Sequence, residues 1–311
     1  MNGLLCPGQG SQFVGMGRDL AAAFPTARAT FEEADDTLGL PLSRLCWEGP
    51  DEELTLTVNA QPAILTHTVA VWRILEENGP LTVGMAAGHS LGEFSAYVAA
   101  GSLRFADAVR TVRRRGELML ESGRERPGTM AAVLGLDDEA ADAVCRQASS
   151  GADSVVVAAN FNSPGQLVIS GDVAAVGRAD ELAREAGAKR VIPLNVSGAF
   201  HSPLMEAAVD GLREALAAVT IAAPNFPVVS NVTAEPVSDP DQARELMVRQ
   251  LTSAVRWVDS VQAMRSAGVE QFVEVGPGNV LTGLLRRIDR AAAGRALGTA
   301  EELKTFLGEN G

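Results

Sequence analysis

The pentapeptide GHSLG at residues 88–92 constrains the possible folds of this chain more than any other segment. It fits the pattern G-x-S-x-G, in which a strand turns sharply into a helix and the serine stands at the apex. The context agrees, because residues 83–88 are apolar and favour a strand, and residues 91–101 favour a helix. The segment therefore predicts an α/β fold with Ser90 as a candidate nucleophile. A tight turn in which Ser90 only caps the helix is the structural alternative.

The rest of the chain alternates apolar β-type runs with amphipathic helical runs, which is typical of α/β architecture. Pro62 suits the first turn of its predicted helix, and Gly79 suits the C-cap. We predict strands over 3–6, 83–90, 227–233 and 271–278, and helices over 17–37, 62–78, 91–101, 104–122, 203–218, 240–251, 257–267 and 279–290.

Residues 128–195 follow a different pattern, in the order strand, helix, strand, strand, helix, strand, which is the ferredoxin-like order. The predicted strands are 128–136, 154–162, 165–172 and 189–196, and the predicted helices are 137–149 and 173–187. We therefore predict a hydrolase-like main domain with a parallel sheet and a nucleophile elbow. It is formed by residues 1–127 and 196–311, with residues 128–195 inserted as a ferredoxin-like subdomain.

A serine nucleophile needs a base, and the chain has three histidines. His67 lies inside a predicted helix, where an imidazole of the core or surface without a catalytic role is expected. His89 adjoins Ser90, and its side chain is expected to point away from it. His201 lies in SGAFHSPLM, a loop of small residues between a strand and a helix, where catalytic groups concentrate. We predict His201 as the base. Its alternative role is to cap the following helix.

A hydrolase-type triad also requires a carboxylate that orients the histidine. None of the acids between Ser90 and His201 stands in an obvious strand-end loop; they include Asp107, Asp153, Asp172 and Asp180. A dyad is the alternative, with the imidazole N–H held by a neutral acceptor such as a backbone carbonyl. The residue pattern does not choose between these two arrangements.

Charge and cysteine content exclude several classes of protein. The chain carries 26 Lys and Arg against 39 Asp and Glu, a net charge of −13, which argues against a nucleic-acid binder. No apolar run is long enough to cross a membrane, and the N-terminus lacks the pattern of a signal peptide. Cys6, Cys46 and Cys145 form no metal-ligand spacing, so we expect no metal site and a reduced, cytoplasmic protein.

Eight blocks of sequence occur together in a fixed order: PGQGSQFVGMG (7–17), GHSLGEFSA (88–96), RRRGELM (113–119), NFNSPGQLVISG (160–171), GAFHSPLM (198–205), VVSNVTA (228–234), VRQLTSAVRW (248–257) and EVGPGNVLTGL (274–284). Together they resemble the malonyl-CoA:acyl-carrier-protein transacylases of fatty-acid synthesis and the related acyltransferases of polyketide synthases. The resemblance covers the chain from about residue 4 to residue 290.

The resemblance implies a catalytic dyad of Ser90 and His201, with the imidazole oriented by the backbone carbonyl of Gln250. It also implies that the backbone N–H groups of Gln9 and Leu91 form the oxyanion hole. Two such donors aimed at the developing oxyanion would each stabilise it by roughly 3–4 kcal/mol. The expected activity is therefore acyl transfer by a dyad.

Two further residues are implied to bind substrate. Arg115 matches the arginine that pairs with the free carboxylate of malonate. Three successive arginines on a helix point about 100° apart, so at most two of RRR at 113–115 face a cleft, and the resemblance selects Arg115. Phe200 matches a position where Phe accompanies malonyl and a smaller residue accompanies methylmalonyl in the polyketide relatives. Leu91 after the serine points the same way, and we predict a preference for malonyl.

The implied reaction is a ping-pong transfer from malonyl-CoA, the substrate, to the phosphopantetheine thiol of an acyl carrier protein, with no bound cofactor. Carrier proteins are acidic, so docking needs a local basic patch. Lys189–Arg190 and Arg286–Arg287 are candidates, with solvated surface charge as the alternative. A monomer is expected, as is common in the family. Asn160 and Asn162 are expected to serve turn chemistry.

Three other functions remain compatible with these residues. The first is a free-standing acyltransferase that serves a polyketide synthase in trans. The second is a serine thioesterase or hydrolase, against which Arg115 and the missing triad acid argue. The third is a carrier-protein-binding module with an inactive site, against which the complete set of Ser90, His201 and Arg115 argues.

Overall fold

The computed structural model describes residues 1–79 and 81–310. Its larger sheet has six strands: β1 (Asn2–Cys6), β2 (Val83–Gly88), β7 (Val228–Val229), β8 (Pro236–Val237), β9 (Gln271–Val275) and β10 (Ala293–Leu297). The strand order is β10-β9-β1-β2-β7-β8, and the pairs are parallel except for β7 with β8. Because β1 and β2 are parallel neighbours, the loops that follow them meet at one edge of the sheet.

The helices outside the second sheet are α1 (Arg18–Ala23), α2 (Pro25–Leu38), α3 (Leu42–Glu48), α4 (Asp51–Thr55), α5 (Thr57–Asn78), α6 (Gly92–Ala99), α7 (Phe105–Glu125), α10 (Val209–Ala217), α11 (Pro240–Arg249), α12 (Trp257–Ser266), α13 (Val280–Ile288) and α14 (Ala300–Asn310). A 3₁₀ helix, Pro203–Ala208, precedes α10. Across the described residues, none of the helices combines the length and the apolar character that a membrane span requires.

Both faces of the larger sheet are covered, as expected for a parallel sheet. Successive residues of β1 point to opposite faces. Leu4 and Cys6 join the core formed with α2, α5, α6 and α7, whereas Leu5 joins a second core that α12 and α13 cover. The mixed α/β architecture with a largely parallel sheet agrees with the fold class predicted from the sequence.

The second sheet and its helices comprise β3 (Gly128–Leu134), α8 (Asp138–Ala148), β4 (Val156–Ser163), β5 (Gln166–Asp172), α9 (Val173–Glu185) and β6 (Arg190–Pro193). The strand order is β4-β5-β3-β6, and every pair is antiparallel. This sheet has an apolar core of its own with α8 and α9. The N–H of Phe161 donates to the carbonyl oxygen of Val255 at 2.9 Å, which ties β4 to the segment after α11.

At two prolines the structure differs from the predicted helix boundaries. The helix predicted over 17–37 is divided between α1 and α2, because Phe24 is extended ahead of Pro25, as residues before proline prefer. α5 begins at Thr57, so Pro62 lies inside the helix rather than in its first turn. Pro62 cannot bond the carbonyl of Val58, and the Arg113 guanidinium donates to that oxygen instead, at 3.2 Å.

The strand predicted over 227–233 is also shorter than expected. Only Val228 and Val229 pair as a strand, because the chain turns at Ser230, whose carbonyl accepts from the N–H of Ala234 at 2.9 Å. This turn brings Asn231 beneath the end of β2.

Candidate active site

The turn between β2 and α6 holds Ser90 in the left-handed region, with φ of 50°. Two glycines make this turn possible. A Cβ on Gly88 would lie 1.9 Å from the carbonyl oxygen of Gly92, and a Cβ on Gly92 would lie 2.0 Å from the carbonyl oxygen of Cys6. A non-glycine residue at positive φ is strained and persists only where its surroundings fix it.

Asn231 supplies part of that constraint. Its Oδ1 accepts from the Ser90 N–H at 2.7 Å, and its Nδ2 donates to the carbonyl oxygen of Gly88 at 2.7 Å. No role was predicted for Asn231, although it lies in the block VVSNVTA. The available signal was a polar residue two positions after the short buried strand β7.

Ser90, His201 and Gln250 form a continuous hydrogen-bonded chain. Ser90 Oγ lies 2.7 Å from His201 Nε2, and His201 Nδ1 lies 2.9 Å from the carbonyl oxygen of Gln250. A carbonyl oxygen can only accept, so Nδ1 carries the proton and the lone pair of Nε2 faces the serine hydroxyl. Three of the four acids named as triad candidates, Asp107, Asp172 and Asp180, pair with arginines elsewhere.

His201 is held in its neutral form. Burial and the nearby Arg115 cation lower the pKa of His201 to about 3. An imidazole that stays neutral at pH 7 is able to accept a proton from Ser90. His201 also has a positive φ of 56°, so both members of the pair sit on strained backbone.

Arg115 is the only buried member of its arginine run, with 1% of its surface exposed. Its Nη1 donates to Gln61 Oε1 at 2.7 Å, and its Nη2 donates to Gln250 Oε1 at 2.9 Å and to Ser90 Oγ at 3.3 Å. Burial lowers the pKa of Arg115 to about 10, which leaves it charged at pH 7. Arg114, by contrast, pairs with acids at the surface.

The guanidinium of Arg115 has no anionic group in direct contact. Its bonds go to two amides and a hydroxyl, and nowhere in residues 1–79 and 81–310 does a carboxylate form an ion pair with it. The buried Glu93 carboxyl attracts it only through space, and burial raises the pKa of Glu93 to about 7. The Nε atom of Arg115 is buried and has no hydrogen-bond partner within the same ranges. A buried charge that no counter-ion contacts is costly, so this arrangement favours the binding of an anionic group beside Ser90.

These residues open onto a cavity of about 420 Å³ between the two sheets. Ser90, His201, Arg115, Gln9, Leu91 and Phe200 line it from one side, and Met130, Ala132, Asn160, Asn162, Gln166 and Val168 line it from the second sheet. For the part of the chain that is described, neither the Gln9 N–H nor the Leu91 N–H donates to a protein acceptor. Both are therefore available to a bound oxygen.

Gln9 is connected to Arg115 through side chains of α5. Gln61 Nε2 donates to Thr57 Oγ1 at 3.0 Å, and Thr57 Oγ1 donates to Gln9 Oε1 at 2.9 Å. Since Gln61 Oε1 accepts from Arg115, one chain of bonds links the loop after β1 to the buried guanidinium. Gln61 carried no sequence motif of its own, and its role becomes visible only in the fold.

The other two histidines bond groups other than Ser90. His89 lines the same cavity, and its Nε2 lies 2.8 Å from Asn162 Oδ1 rather than on Ser90. His67 is buried within α5, and its Nε2 lies 2.9 Å from the carbonyl oxygen of Gly298. The expectation that Asn160 and Asn162 serve turn chemistry is wrong, because both belong to β4 and line the cavity.

Two of the predicted basic residues, Arg287 and Arg190, can be placed relative to the cavity through Gln166. Arg287 Nη1 donates to Gln166 Oε1 at 2.5 Å, and Gln166 lines the cavity. In the second sheet, Leu134 pairs with both Gln166 and Arg190, so Arg190 stands about 10 Å from Gln166, two strand spacings away. Lys189 and Arg286 are exposed beside these two arginines in the sequence.

Comparison with known proteins gives one consistent family. Residues 4–300 match a family model described as an acyl transferase domain. The chain is 48% identical to a malonyl CoA-acyl carrier protein transacylase of Bacillus subtilis, over 97% of this chain and 95% of that protein.

Two solved structures are similar to this chain over nearly all of its length. A crystal structure of an acyl carrier protein S-malonyltransferase from Vibrio cholerae superposes with a TM-score of 0.94 at 44% identity, covering 98% of this chain and 99% of that one. The second is a complex of a type II polyketide synthase acyl-carrier protein with its malonyl-transacylase. The matched chain superposes with a TM-score of 0.96 at 44% identity, covering 100% of this chain and 99% of that one.

Proposed function

Because the chain belongs to the acyl transferase domain family and is an acyltransferase, we propose that it transfers a malonyl group from malonyl-CoA to the phosphopantetheine thiol of an acyl carrier protein. The observation that carries this proposal is the joint placement of the Ser90–His201 pair and an unpaired buried Arg115 in one cavity. The first supplies a nucleophile with its base, and the second supplies a site for a carboxylate.

The proposal includes the division of the chain. Residues 1–127 and 196–311 form the hydrolase-like catalytic domain, and residues 128–195 form a ferredoxin-like subdomain. The strand order β4-β5-β3-β6 and the separate apolar core of this segment support the division. The positive φ of Ser90 at the end of a parallel strand supports a nucleophile elbow.

In the first half-reaction, His201 Nε2 accepts the hydroxyl proton while Ser90 Oγ attacks the thioester carbonyl carbon of malonyl-CoA. The carbonyl oxygen becomes an oxyanion that accepts hydrogen bonds from the N–H groups of Gln9 and Leu91. The intermediate collapses as the carbon–sulfur bond breaks, and the thiolate of coenzyme A takes the proton from His201. The product is a malonyl ester of Ser90.

The second half-reaction repeats these steps with a new thiol. His201 removes the proton of the phosphopantetheine thiol, and the sulfur attacks the ester carbonyl. The same two N–H groups bind the oxyanion, and Ser90 leaves with the proton from His201. Neutral His201 is regenerated, and the sequence requires no cofactor.

Arg115 gives the reaction its preference for a dicarboxylic acyl group. Charge-assisted, bidentate contact between a guanidinium and a carboxylate fixes direction as well as charge. The Nη2 atom of Arg115 lies 3.3 Å from Ser90 Oγ, so a carboxylate bound there belongs to the acyl group that Ser90 carries. An acetyl group would leave the cation unpaired, which argues against a general esterase or thioesterase.

Phe200 and the basic residues complete the proposal. The Phe200 ring lines the cavity next to His201 and occupies space that an α-methyl group would need, which favours malonyl over methylmalonyl.

An acidic carrier protein would suit the basic residues proposed for docking, which are Lys189, Arg190, Arg286 and Arg287. A monomeric enzyme is part of the proposal. The likeness to a polyketide transacylase in complex with its carrier protein makes a polyketide carrier protein an alternative acceptor.

The release of coenzyme A from malonyl-CoA, with and without holo carrier protein, tests this function. We expect a release of one equivalent per enzyme in the absence of carrier protein and continuous turnover in its presence. Continuous release without carrier protein would identify a hydrolase. No release under either condition would contradict malonyl-CoA as the donor.

A further inference from the structure

A buried carboxyl group that the reaction steps do not use, that of Glu93, lies close to Ser90 in the fold. Glu93 in the first turn of α6 has no exposed surface. Its Oε2 accepts from the backbone N–H of Asn231 at 3.0 Å and from Gln250 Nε2 at 2.7 Å. Its Oε1 has no hydrogen-bond partner in the ranges that the structure describes. One carboxylate oxygen therefore holds two residues that are distant in sequence.

Both of these residues bond the catalytic pair directly. Asn231 Oδ1 accepts from the Ser90 N–H at 2.7 Å, and the carbonyl oxygen of Gln250 lies 2.9 Å from His201 Nδ1. The Gln250 side chain also donates to the carbonyl oxygen of Ser90 at 3.1 Å. A shift of Glu93 Oε2 would therefore move the backbone of the nucleophile and the acceptor of the base together.

We propose that Glu93 is a positioning residue for acyl transfer: through Asn231 and Gln250 it holds Ser90 and His201 in reactive geometry. The inference deepens the proposed function and rests on acyl transfer at Ser90. Glu93 touches neither the cavity nor the reacting atoms, and its contribution is made by hydrogen-bond reach. Small misplacements of reacting groups cost large factors in rate, about 10²-fold for a shift of about 1 Å.

Glu274 provides a matched control elsewhere in the fold. It is also fully buried, but its Oε1 and Oε2 accept from the backbone N–H groups of Leu281 and Thr282, at 3.0 Å and 2.7 Å, in the first turn of α13. Glu274 thus caps a helix. Glu93 accepts instead from residues outside its own helix, and both of those residues contact the catalytic pair.

Two conservative variants separate reach from charge. In Glu93→Gln, the amide oxygen can accept both bonds of Oε2, and the NH₂ group occupies the position of Oε1, which has no partner. In Glu93→Asp, the ionisable carboxyl group remains, but the side chain is one methylene shorter and loses contact with Asn231 and Gln250. We expect Glu93→Gln to keep the single-turnover rate of Ser90 acylation within about threefold of wild type, and Glu93→Asp to lower it about 10²-fold.

Two probes of Ser90 keep this test independent of the proposed function. Malonyl-CoA measures the proposed reaction, and a fluorophosphonate measures the reactivity of the serine without any carboxylate or carrier. If wild type reacts with the fluorophosphonate and not with malonyl-CoA, the proposed function fails, and the comparison of the Glu93 variants still decides the inference. Thermal unfolding of each variant, with Glu274→Gln alongside, records stability. Glu274→Gln is expected to lose stability and keep its acylation rate.

Three results would overturn the inference. The first is a wild-type fluorophosphonate rate in folded Glu93→Asp, because lost reach would then have no effect. The second is an inactive Glu93→Gln beside an active Glu93→Asp, because charge would then be the contribution. The third is a rate loss in Glu274→Gln as large as that in Glu93→Asp, because a buried carboxylate far from Ser90 would then have the same effect.

Discussion

His67 and His201 occupy two similar environments with different consequences. Both rings are buried, and each has one nitrogen 2.9 Å from a backbone carbonyl, that of Gly298 or that of Gln250. Burial lowers the pKa of His67 to about 4 and, together with Arg115, that of His201 to about 3. The second nitrogen of His67 has no partner in the described part of the chain, whereas that of His201 faces Ser90 Oγ at 2.7 Å. Burial and a low pKa therefore do not by themselves identify a catalytic base.

The backbone of the two residues differs as well. His67 lies in the regular part of α5, and His201 stands in a loop at φ of 56°. Ser90 is one of the two other non-glycine residues with positive φ in the part of the chain that is described. Strain of this kind is found at functional sites, where the surrounding contacts fix it. His201, the proposed base, is distinguished from His67 by its contact with Ser90, by the cavity that it lines and by its strained backbone.

Removal of each imidazole in turn tests whether His201, and not His67, acts as the base, and we expect the largest effect here. We expect His201→Gln to lower the single-turnover rate of malonyl-Ser90 formation by about 10³-fold, since it removes general base catalysis. His67→Gln should keep that rate within about twofold and lower the melting temperature, since it changes only the core. Quenched-flow mass spectrometry measures the first quantity and thermal unfolding the second. Equal rate losses in the two variants would contradict the assignment.

Arg115 lowers the pKa of His201 and has no such effect on that of His67, so its removal should affect the two histidines differently. Arg115→Ala should lower malonyl transfer by about 10²-fold, as expected for the loss of a charge-assisted contact, and relax discrimination against acetyl-CoA. Because the cation lowers the pKa of His201, the acid limb of the rate profile should also move to higher pH. Rates with malonyl-CoA and acetyl-CoA between pH 4 and 8 measure both effects. Arg114→Ala is the matched surface control, and unchanged malonyl kinetics in Arg115→Ala would refute the role.

The pH dependence of stability tests the buried state of His67. Its folded pKa of about 4 lies below the ordinary value of 6.5, so the unfolded chain binds the proton more readily between those values. This contribution is complete above pH 6.5 and is lost as the pH falls towards 4. Between pH 7 and pH 4 we expect wild type to lose on the order of 2 kcal/mol more unfolding free energy than His67→Gln. Urea unfolding at both pH values measures this, and parallel losses would contradict a neutral buried His67.

Phe200 probes the cavity beside His201. Phe200→Ser should raise the ratio of methylmalonyl to malonyl transfer about tenfold, because one methyl group in a pocket corresponds to about 1–3 kcal/mol. Competition between the two coenzyme A esters gives the ratio directly. An unchanged ratio would show that the ring does not exclude the methyl group, and equal wild-type rates with both esters would refute the predicted preference.

Charge reversal at Arg190 and Arg287 should leave the reaction at Ser90 and His201 unchanged. The variants Arg190→Glu and Arg287→Glu are expected to slow transfer to the carrier protein several-fold, with a weaker effect at high salt, and to leave the loading of Ser90 from malonyl-CoA unchanged. The two half-reactions are measured separately by mass spectrometry. Unaltered transfer to the carrier protein would indicate that these charges are only solvated.

The sequence predicted the strand, turn and helix around Ser90 because each is encoded locally. The convergence of Ser90, His201 and Arg115 was implied by the ordered blocks and not by any single pattern. The choice between triad and dyad could not be made from the residue types, because the acceptor of His201 is the backbone carbonyl of Gln250, and every residue has such a group.

Two helices that were not predicted, α3 and α4, have seven and five residues, too few to show a clear period. The strand β10 and the eleven-residue helix α14 near the C-terminus were not predicted either. Other contacts join residues that are distant in sequence. Asn231 bonds Ser90 across 141 residues of sequence, and Glu93 bonds Gln250 across 157. Such partners have no local signal, so the buried residues bonded around Ser90 and His201 became visible only in the folded chain.

The intact mass of wild type and Ser90→Ala after incubation with malonyl-CoA tests whether Ser90 carries the malonyl group. We expect one malonyl adduct on wild type, none on Ser90→Ala, and discharge of the adduct by a holo carrier protein. An adduct that persists in Ser90→Ala, or wild type that stays unmodified, would contradict Ser90 as the nucleophile of malonyl transfer.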